Sequence, residues 1–393
     1  LSRGLLGPYY VNMGKIYVFP TISTGLGHLR VTSAIIDSSP DGASLYLFDT
    51  KSKAASYLHL LTSRNPLLRR VLLWTQNGVP ELVFTLIYKY VLCKSSQSMA
   101  KRLGSYIRKL PKGDIELVCT HFGIAHQVSH QKDYLEKFTG RKVKVTTVVT
   151  DDSPQLLWAV ECDLLVAPSL KTANKLEKNL SRGKTKVVVC DYPLSPWIKV
   201  GLTAKERVLR FEQLIFKREV NVLIPISGAA VHLDWYRSFI ESVEKLNLSA
   251  KFYIVSRSGK STKLFLDWAK DRPDCQVYSD KSDWEVIKIY NRLIHENVFA
   301  CEITKPSEHT FKSILSINQR GGMPMLFASP VGRQEYDNLD FVKRLGLLNK
   351  RNHLLSSDPK IASRQLKDLL NKVGELGKID SLKPSSGHIW SYL

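Results

Sequence analysis

Two groups of residues in this chain have types and spacings that could act together on a phosphorylated ligand. The first is Ser23-Thr24-Gly25-Leu26-Gly27-His28, which follows a short apolar run and opens a helical pattern. Glycines there let backbone approach a ligand closely, and the unsatisfied N–H groups of a helix start favour an anion. His28 is the first polar side chain after the glycines, and an imidazole, whose ordinary pKa is near neutrality, suits a general base at the mouth of a cleft. A plain tight turn would use the same glycines, and a lone histidine is more often structural. The second group lies within residues 298–338. Lys305-Pro306 leads into Ser307-Glu308-His309-Thr310 at a helix start, and Arg333-Gln334-Glu335 with Asn338 forms a polar loop after the next apolar run. Their carboxylate and amide groups would converge on one sheet edge and suit bidentate bonding to sugar hydroxyls, although solvated loop and cap residues look alike in sequence.

Three smaller features belong with these. Thr150-Asp151-Asp152 ends a strand with two carboxylates. Asp151 could act as a base or orient one, and Asp152 reads as a helix cap. Ser227-Gly228-Ala229 places small residues where a strand feeds a helix, as a diphosphate cradle would require. Arg257 follows the next strand and could neutralise phosphate.

The elements that must carry these residues alternate between strand and helix. Strands are expected at 15–20, 43–48, 115–120, 143–150, 164–167 and 186–190. A second series falls at 222–226, 252–255, 276–278, 298–303 and 324–327, with helical segments between them. Such alternation gives parallel βαβ units. Each half begins with a strand, a glycine-containing turn and a helix. The expected architecture is therefore α/β, with two Rossmann-like parallel-sheet domains facing a central cleft. The boundaries are an N-terminal extension 1–12, a first domain 13–195, a linker 196–219, a second domain 220–375 and a tail 376–393. Met13 reads as a start, and residues 1–12 have too short an apolar core for a signal peptide.

Composition narrows the function. The chain has 393 residues, 44% hydrophobic and 24% charged, with a net charge of +21. Six cysteines are scattered without a CxxC pair, which argues for reduced thiols rather than a zinc site or a disulfide framework. Residues 50–112 hold 12 Lys/Arg against the single acid Glu81, so a polyanionic partner is expected. The same insert (51–112) places Leu, Val, Trp, Phe and Tyr among Arg and Lys, as a helix lying on an anionic membrane surface would. A core helix packed on the sheet would explain the apolar residues but not the charge. The apolar run 79–93 is interrupted by Glu81 and Lys89 and is shorter than the roughly 20 residues needed to span a bilayer. No recognition helix or basic–aromatic repeat argues for nucleic acid.

These motifs, in this order, resemble the GT-B glycosyltransferases of family 28, which holds MurG and the monogalactosyldiacylglycerol synthases. STGLGH is similar to the family's Gly-Gly-x-Gly-His loop, which maps its acceptor-side histidine onto His28, with Thr24, Gly25 and Gly27 in the acceptor-side loop. Residues 146–169 resemble the galactolipid-synthase segment, matching Thr150, Asp151, Trp158, Pro168 and Ser169. RQEYDN at 333–338 resembles the donor-sugar motif and carries that role to Gln334 and Glu335. Ser313 stands where the family has a ribose-binding glutamate, and Ser153-Pro154 replaces its His-Pro.

The resemblance implies an inverting, metal-independent hexosyltransferase that uses a nucleotide-diphosphate-sugar (a UDP-sugar) as co-substrate, with no cofactor. It implies a lipid-type acceptor at an anionic membrane surface and a cytoplasmic, peripheral location. The donor side would comprise Ser227, Gly228, Arg257, Ser307, Glu308, His309, Thr310, Gln334, Glu335 and Asn338, with His28 or Asp151 as base. The rivals are a nucleotide-sugar epimerase of the same fold and a non-catalytic nucleic-acid-binding protein.

Overall fold

A computed structural model describes residues 15–22, 25–50, 66–307, 318–320, 323–327, 330, 332–345, 354–376 and 388–393. Within them the strands form two six-stranded sheets, and every pairing is parallel. The first sheet contains β1 (Lys15–Thr21), β2 (Ser44–Asp49), β3 (Asp114–Cys119), β4 (Val143–Val148), β5 (Leu164–Ala167) and β6 (Lys186–Val189). Its helices are α1 (Gly27–Asp37), α2 (Pro66–Thr75), α3 (Gly78–Ile107), α4 (Phe122–His130), α5 (Lys132–Thr139) and α6 (Leu170–Glu177). After α7 (Pro196–Lys199) and α8 (Ala204–Leu214), the second sheet contains β7 (Val220–Pro225), β8 (Ala250–Arg257), β9 (Cys275–Asp280), β10 (Cys301–Thr304), β11 (Met323–Phe327) and β12 (Leu354–Leu355). Its helices are α9 (Leu233–Glu244), α10 (Lys263–Lys270), α11 (Asp283–Glu296), α12 (Arg333–Arg344) and α13 (Pro359–Leu376).

Strand order decides where each sheet can bind. The first sheet runs β2-β1-β3-β4-β5-β6, and the second β12-β11-β10-β7-β8-β9. Numbered within its own domain and read from the far edge, the second is 3-2-1-4-5-6, the dinucleotide-binding order. Its direction reverses between β7 and β10, and that of the first sheet between β1 and β3. Ligands of open α/β sheets bind outside the carboxyl ends of the strands at such reversals. Both β1 and β7 are mostly apolar and buried at all but one residue each, as strands covered on two faces must be. This is the GT-B architecture of two Rossmann-like domains.

The carboxyl edges of the two sheets face one another. Gly228, in the turn after β7, lies so close to the turn after β1 that a Cβ there would stand 3.1 Å from both Gly25 Cα and Leu26 N. One apolar cluster runs through both domains, joining Phe19, Leu29 and Val166 to Leu223, Tyr253 and Tyr290. The last residues join it as well. Instead of continuing a polar tail, residues 388–393 return to the first domain, where Trp390 stacks edge-on with Tyr17 at 5.1 Å and donates its indole N–H to Ile35 O at 3.0 Å. Residues 1–12, and the tail up to residue 387, lie outside the described residues or belong to α13.

Helix α3 inverts the expected pattern in its first half. Glu81 is buried; its Oε1 accepts the Leu156 N–H at 2.8 Å and its Oε2 accepts Arg333 Nη1 at 2.9 Å. Lys89 donates to Ala159 O at 2.8 Å. The two charges that interrupt the apolar run thus point inward, onto the turn after β4. The apolar residues point out: Val79 is 75% exposed, and Leu82, Val83, Leu86, Ile87, Tyr90 and Val91 are exposed with it. Trp74 and Val71 of α2 extend this face. From Met99 to Ile107 the ordinary arrangement returns, with Met99, Ala100, Leu103 and Ile107 in the core. No helix among the described residues is long and apolar enough to cross a membrane.

Candidate functional site

On the first domain, the reversal between β1 and β3 gathers two histidines. His28 opens α1, and His121 caps α4, its Nδ1 accepting the Gly123 N–H at 3.1 Å. The two rings lie 5.1 Å apart between centroids at 70°. His28 Nε2 is 2.6 Å from the carbonyl of Ile22. Thr32 ties the two elements together, donating to His28 O at 2.9 Å and meeting Thr120 Oγ1 at 2.7 Å. His121 was not singled out from sequence, although it stands after its strand as His28 and Asp151 stand after theirs. Adjacent strands are about 4.8 Å apart, so the ends of β1, β3 and β4 bring His28, His121 and Asp151 to one edge.

An aromatic series leads away from this pair. Phe122 stacks on His121 at 4.7 Å, Tyr88 tilts against Phe122 at 6.1 Å, and Phe84 stacks on Tyr88 at 5.7 Å. Trp158, a residue of the galactolipid-synthase resemblance, braces Phe122 edge-on at 5.5 Å. Phe84 and Tyr88 are half-buried on α3, beside its exposed apolar residues. A continuous apolar strip therefore runs from the outward face of α3 to His28.

On the second domain, Ser227 and Gly228 follow β7, and Lys305 to Ser307 follow β10, one on each side of the reversal. Ser227 Oγ is buried and meets no hydrogen-bond partner among the described residues. The turn also carries backbone strain, since Ala230 (φ 48°) and His232 (φ 62°) are left-handed without being glycine. Such conformations cost on the order of 1–2 kcal/mol each and cluster at functional turns. Gly228 departs from the diphosphate-cradle expectation in one respect. In the closed arrangement the space beside its Cα is filled by Gly25 and Leu26 rather than open.

Helix α12, which carries RQEYDN, departs further from expectation. Asn338 is fully buried; its Nδ2 donates to Asp151 Oδ1 at 2.7 Å and its Oδ1 accepts the Asp152 N–H at 3.0 Å. Ser153 Oγ donates to Asp337 Oδ2 at 2.6 Å, and Lys171 pairs with Asp340 at 2.8 Å. Asp152 begins no helix of its own. It is buried, accepts Thr172 Oγ1 at 2.7 Å and Ser169 Oγ at the start of α6, and pairs with Arg344. Glu335 is buried against Lys305 at 2.6 Å, joining the helix after β11 to the end of the neighbouring strand β10. The motif read as sugar-facing thus spends Asn338 on joining the domains and Glu335 on an ion pair. Gln334 is half-buried and folds back over Gly332, which has no Cβ to obstruct it. Arg257 meets Asp283 at 3.4 Å, and Ser307 N–H donates to Lys305 O at 2.7 Å. Thr24, Glu308, His309 and Thr310 lie outside the described residues; Gly27 is the first residue of α1.

No protein-family model matches the chain, and no curated protein does. Among solved structures it is similar in arrangement to Acinetobacter baumannii MurG, at 11% identity and TM-score 0.41, covering 96% of this chain and 98% of that one. It is similar to Arabidopsis thaliana UGT89C1 complexed with UDP, at 12% identity and TM-score 0.48, with 96% and 98% covered. It is also similar to Neisseria meningitidis UDP-GlcNAc 2-epimerase bound to UDP-GlcNAc, at 10% identity and TM-score 0.46, with 96% and 97% covered. The fold assignment stands on this chain's own strand order.

Proposed function

We propose that the protein is a glycosyltransferase that moves a sugar from a nucleotide-diphosphate-sugar, a UDP-sugar, to a hydroxyl of an apolar, membrane-associated acceptor. The observation that carries the reading is the opposition of the two sheet reversals. A dinucleotide-type reversal bearing Ser227 and Lys305 faces one bearing His28, His121 and Asp151. The diphosphate would lie between the turn after β7 and the residues that follow β10, Lys305 to Ser307. N–H groups at the start of α9, which follows the first of these turns, would stabilise the leaving diphosphate, and Arg257 would lend positive charge. Gln334, with Glu308, His309 and Thr310, would meet the sugar. Glu335 would act by fixing Lys305.

His28 is the proposed base, in a single displacement that inverts the anomeric carbon, with no metal called on. Asp151, held by Asn338, would keep the adjacent strand end in place. The inverted half of α3 supports a membrane-bound acceptor. Its charges are satisfied inside and its apolar residues stand outward, with Arg70, Lys94 and Lys101 exposed around them, a composition that favours an anionic interface. The strip from Phe84 to His121 would lead an acceptor from that surface to the base. Such a protein would lie on the cytoplasmic face of a membrane. Incubating the protein with a labelled UDP-sugar and anionic vesicles containing a lipid alcohol tests the reading. Labelled lipid is expected, whereas sugar released or isomerised without acceptor would overturn it.

A further inference from the structure

Arg333, the first residue of α12, joins the second domain to the hairpin of α2 and α3. Its Nη1 pairs with Glu81 Oε2 at 2.9 Å and also donates to the carbonyl of Gln76, in the turn between the two hairpin helices. Its backbone N–H donates to Gln76 Oε1 at 3.4 Å. Its Nε meets Asp337 Oδ2 at 3.3 Å, the oxygen that also accepts Ser153 Oγ. The Arg333 and Glu81 side chains are both largely shielded from water. Glu81 thus meets one group from each domain, Leu156 N–H and the Arg333 guanidinium. The next two residues of α12 are those assigned to the donor side: Gln334 lies over Gly332, and Glu335 holds Lys305 at 2.6 Å. A single helical turn therefore ties the hairpin to the donor side.

The hairpin stands in an arrangement that water alone does not favour. Leu67, Val71 and Trp74 share the outward face of α2, and Val79, Leu86 and Val91 mark that of α3. Beneath them Glu81 and Lys89 are bonded to the body of the protein. Apolar area left in water is unfavourable in proportion to its extent, and a contiguous exposed patch marks a docking surface. Arg70, Lys94 and Lys101 are exposed around it, Lys94 lies over the Tyr90 ring at 5.5 Å, and the chain carries a net charge of +21. That charge selects an anionic bilayer as the occupant. A bilayer takes up the apolar face while the polar face stays on the protein, so it favours the seated hairpin.

We propose that docking of this hairpin on an anionic bilayer regulates the donor site, because the seated hairpin holds the first turn of α12 through Arg333. The proposal rests on the transferase reading and adds to it a regulatory link and the residue that carries it. Arg333 is a positioning residue, acting on the donor through Gln334 and the Glu335–Lys305 pair. The link is reciprocal: the factor by which the bilayer tightens donor binding is the factor by which the donor tightens binding to the bilayer.

Hydrogen–deuterium exchange over Arg333–Arg344 reads this link without any donor present. In the wild-type protein, vesicles of phosphatidylcholine and phosphatidylglycerol are expected to slow exchange there about fivefold or more, and phosphatidylcholine alone to change it little. Arg333→Gln loses the charge that Glu81 meets, so vesicle binding should persist and the slowing disappear, with part of it restored in Arg333→Lys. Lys171→Ala breaks a different pair between the domains and should keep the slowing. Unchanged exchange in wild-type protein bound to anionic vesicles would overturn the proposal, as would slowing that persists in Arg333→Gln, or no binding of anionic vesicles. The wild-type measurement decides alone where Arg333→Gln does not fold. The Kd for UDP is expected to fall by a similar factor on adding anionic vesicles, and an equal Kd in both conditions would refute the effect on the donor site. If UDP binds in neither condition while exchange still slows, the transferase reading falls and the link from the hairpin to α12 stands.

Discussion

Asn338 Nδ2 donates to Asp151 Oδ1 at 2.7 Å across the domain boundary, from a side chain with no solvent exposure. One residue of the RQEYDN segment thus holds a residue of the opposite domain, and it also receives the Asp152 N–H. Around it, Ser153–Asp337, Lys171–Asp340 and Arg344–Asp152 join the same two surfaces. Helix α12 is the clamp that sets one sheet edge against the other.

Asn338→Ala removes both bonds and leaves the Asp152 N–H buried without its acceptor. An unsatisfied buried group costs about 1–3 kcal/mol, so Tm should fall by several degrees in thermal denaturation. A residue that only met the donor sugar would leave the Tm of the unliganded protein unchanged.

The contact between the glycine turns makes Gly228 sensitive to a single methyl group. Gly228→Ala places Cβ 3.1 Å from two backbone atoms that cannot rotate away. The turns must part, and we expect a lower Tm and at least a tenfold loss of sugar transfer. Gly259→Ala, where a Cβ meets nothing within 4 Å, is the matched control and should leave both unchanged.

The outward face of α3 gives the opposite pattern, with binding lost and stability kept. Leu86 and Ile87 are each 60% exposed, and exposed substitutions usually change stability by no more than about 0.5 kcal/mol. Leu86→Asn with Ile87→Asn should leave Tm unchanged and weaken co-sedimentation with anionic vesicles. Added salt should weaken the wild-type interaction too, through its basic flanks.

His126 gives a dependence of stability on pH. Burial, with Lys89 nearby, pushes its imidazole from 6.5 down to about 4, and its Nε2 meets Leu157 O at 2.9 Å. The folded value lies below the unfolded one, so the unfolded chain takes up a proton first as pH falls. Stability should therefore drop between about pH 6.5 and 4; a displacement of that size corresponds to roughly 3 kcal/mol. His126→Gln keeps a donor for Leu157 and should flatten this slope in denaturation measured across that range.

The architecture was legible in sequence because the apolar runs and the glycine turns alternate at the βαβ period. The expected strands recur at their places within a few residues, and only the two-residue β12 was missed. The direction in which side chains point was less legible. Glu81 and Lys89 read as interruptions of an apolar run, yet they face inward because Leu156 N–H and Ala159 O meet them, partners about 70 residues away. The contacts that Asn338 and Asp152 make with the opposite domain were illegible for the same reason. His121 could have been found by the rule that singled out His28, a polar residue just past a strand beside the sheet reversal. Locating that reversal requires the strand order, which the local pattern does not contain.

The central claim is that the second domain holds a nucleotide diphosphate joined to a sugar. Thermal denaturation of the wild-type protein with UDP, UDP-sugars and the corresponding diphosphates of other nucleosides tests it most directly. A ligand that binds the native state raises Tm with the logarithm of its concentration. The account predicts that rise for UDP and at least one UDP-sugar, diminished in a Ser227→Val variant. No rise with any nucleoside diphosphate or its sugar would contradict it.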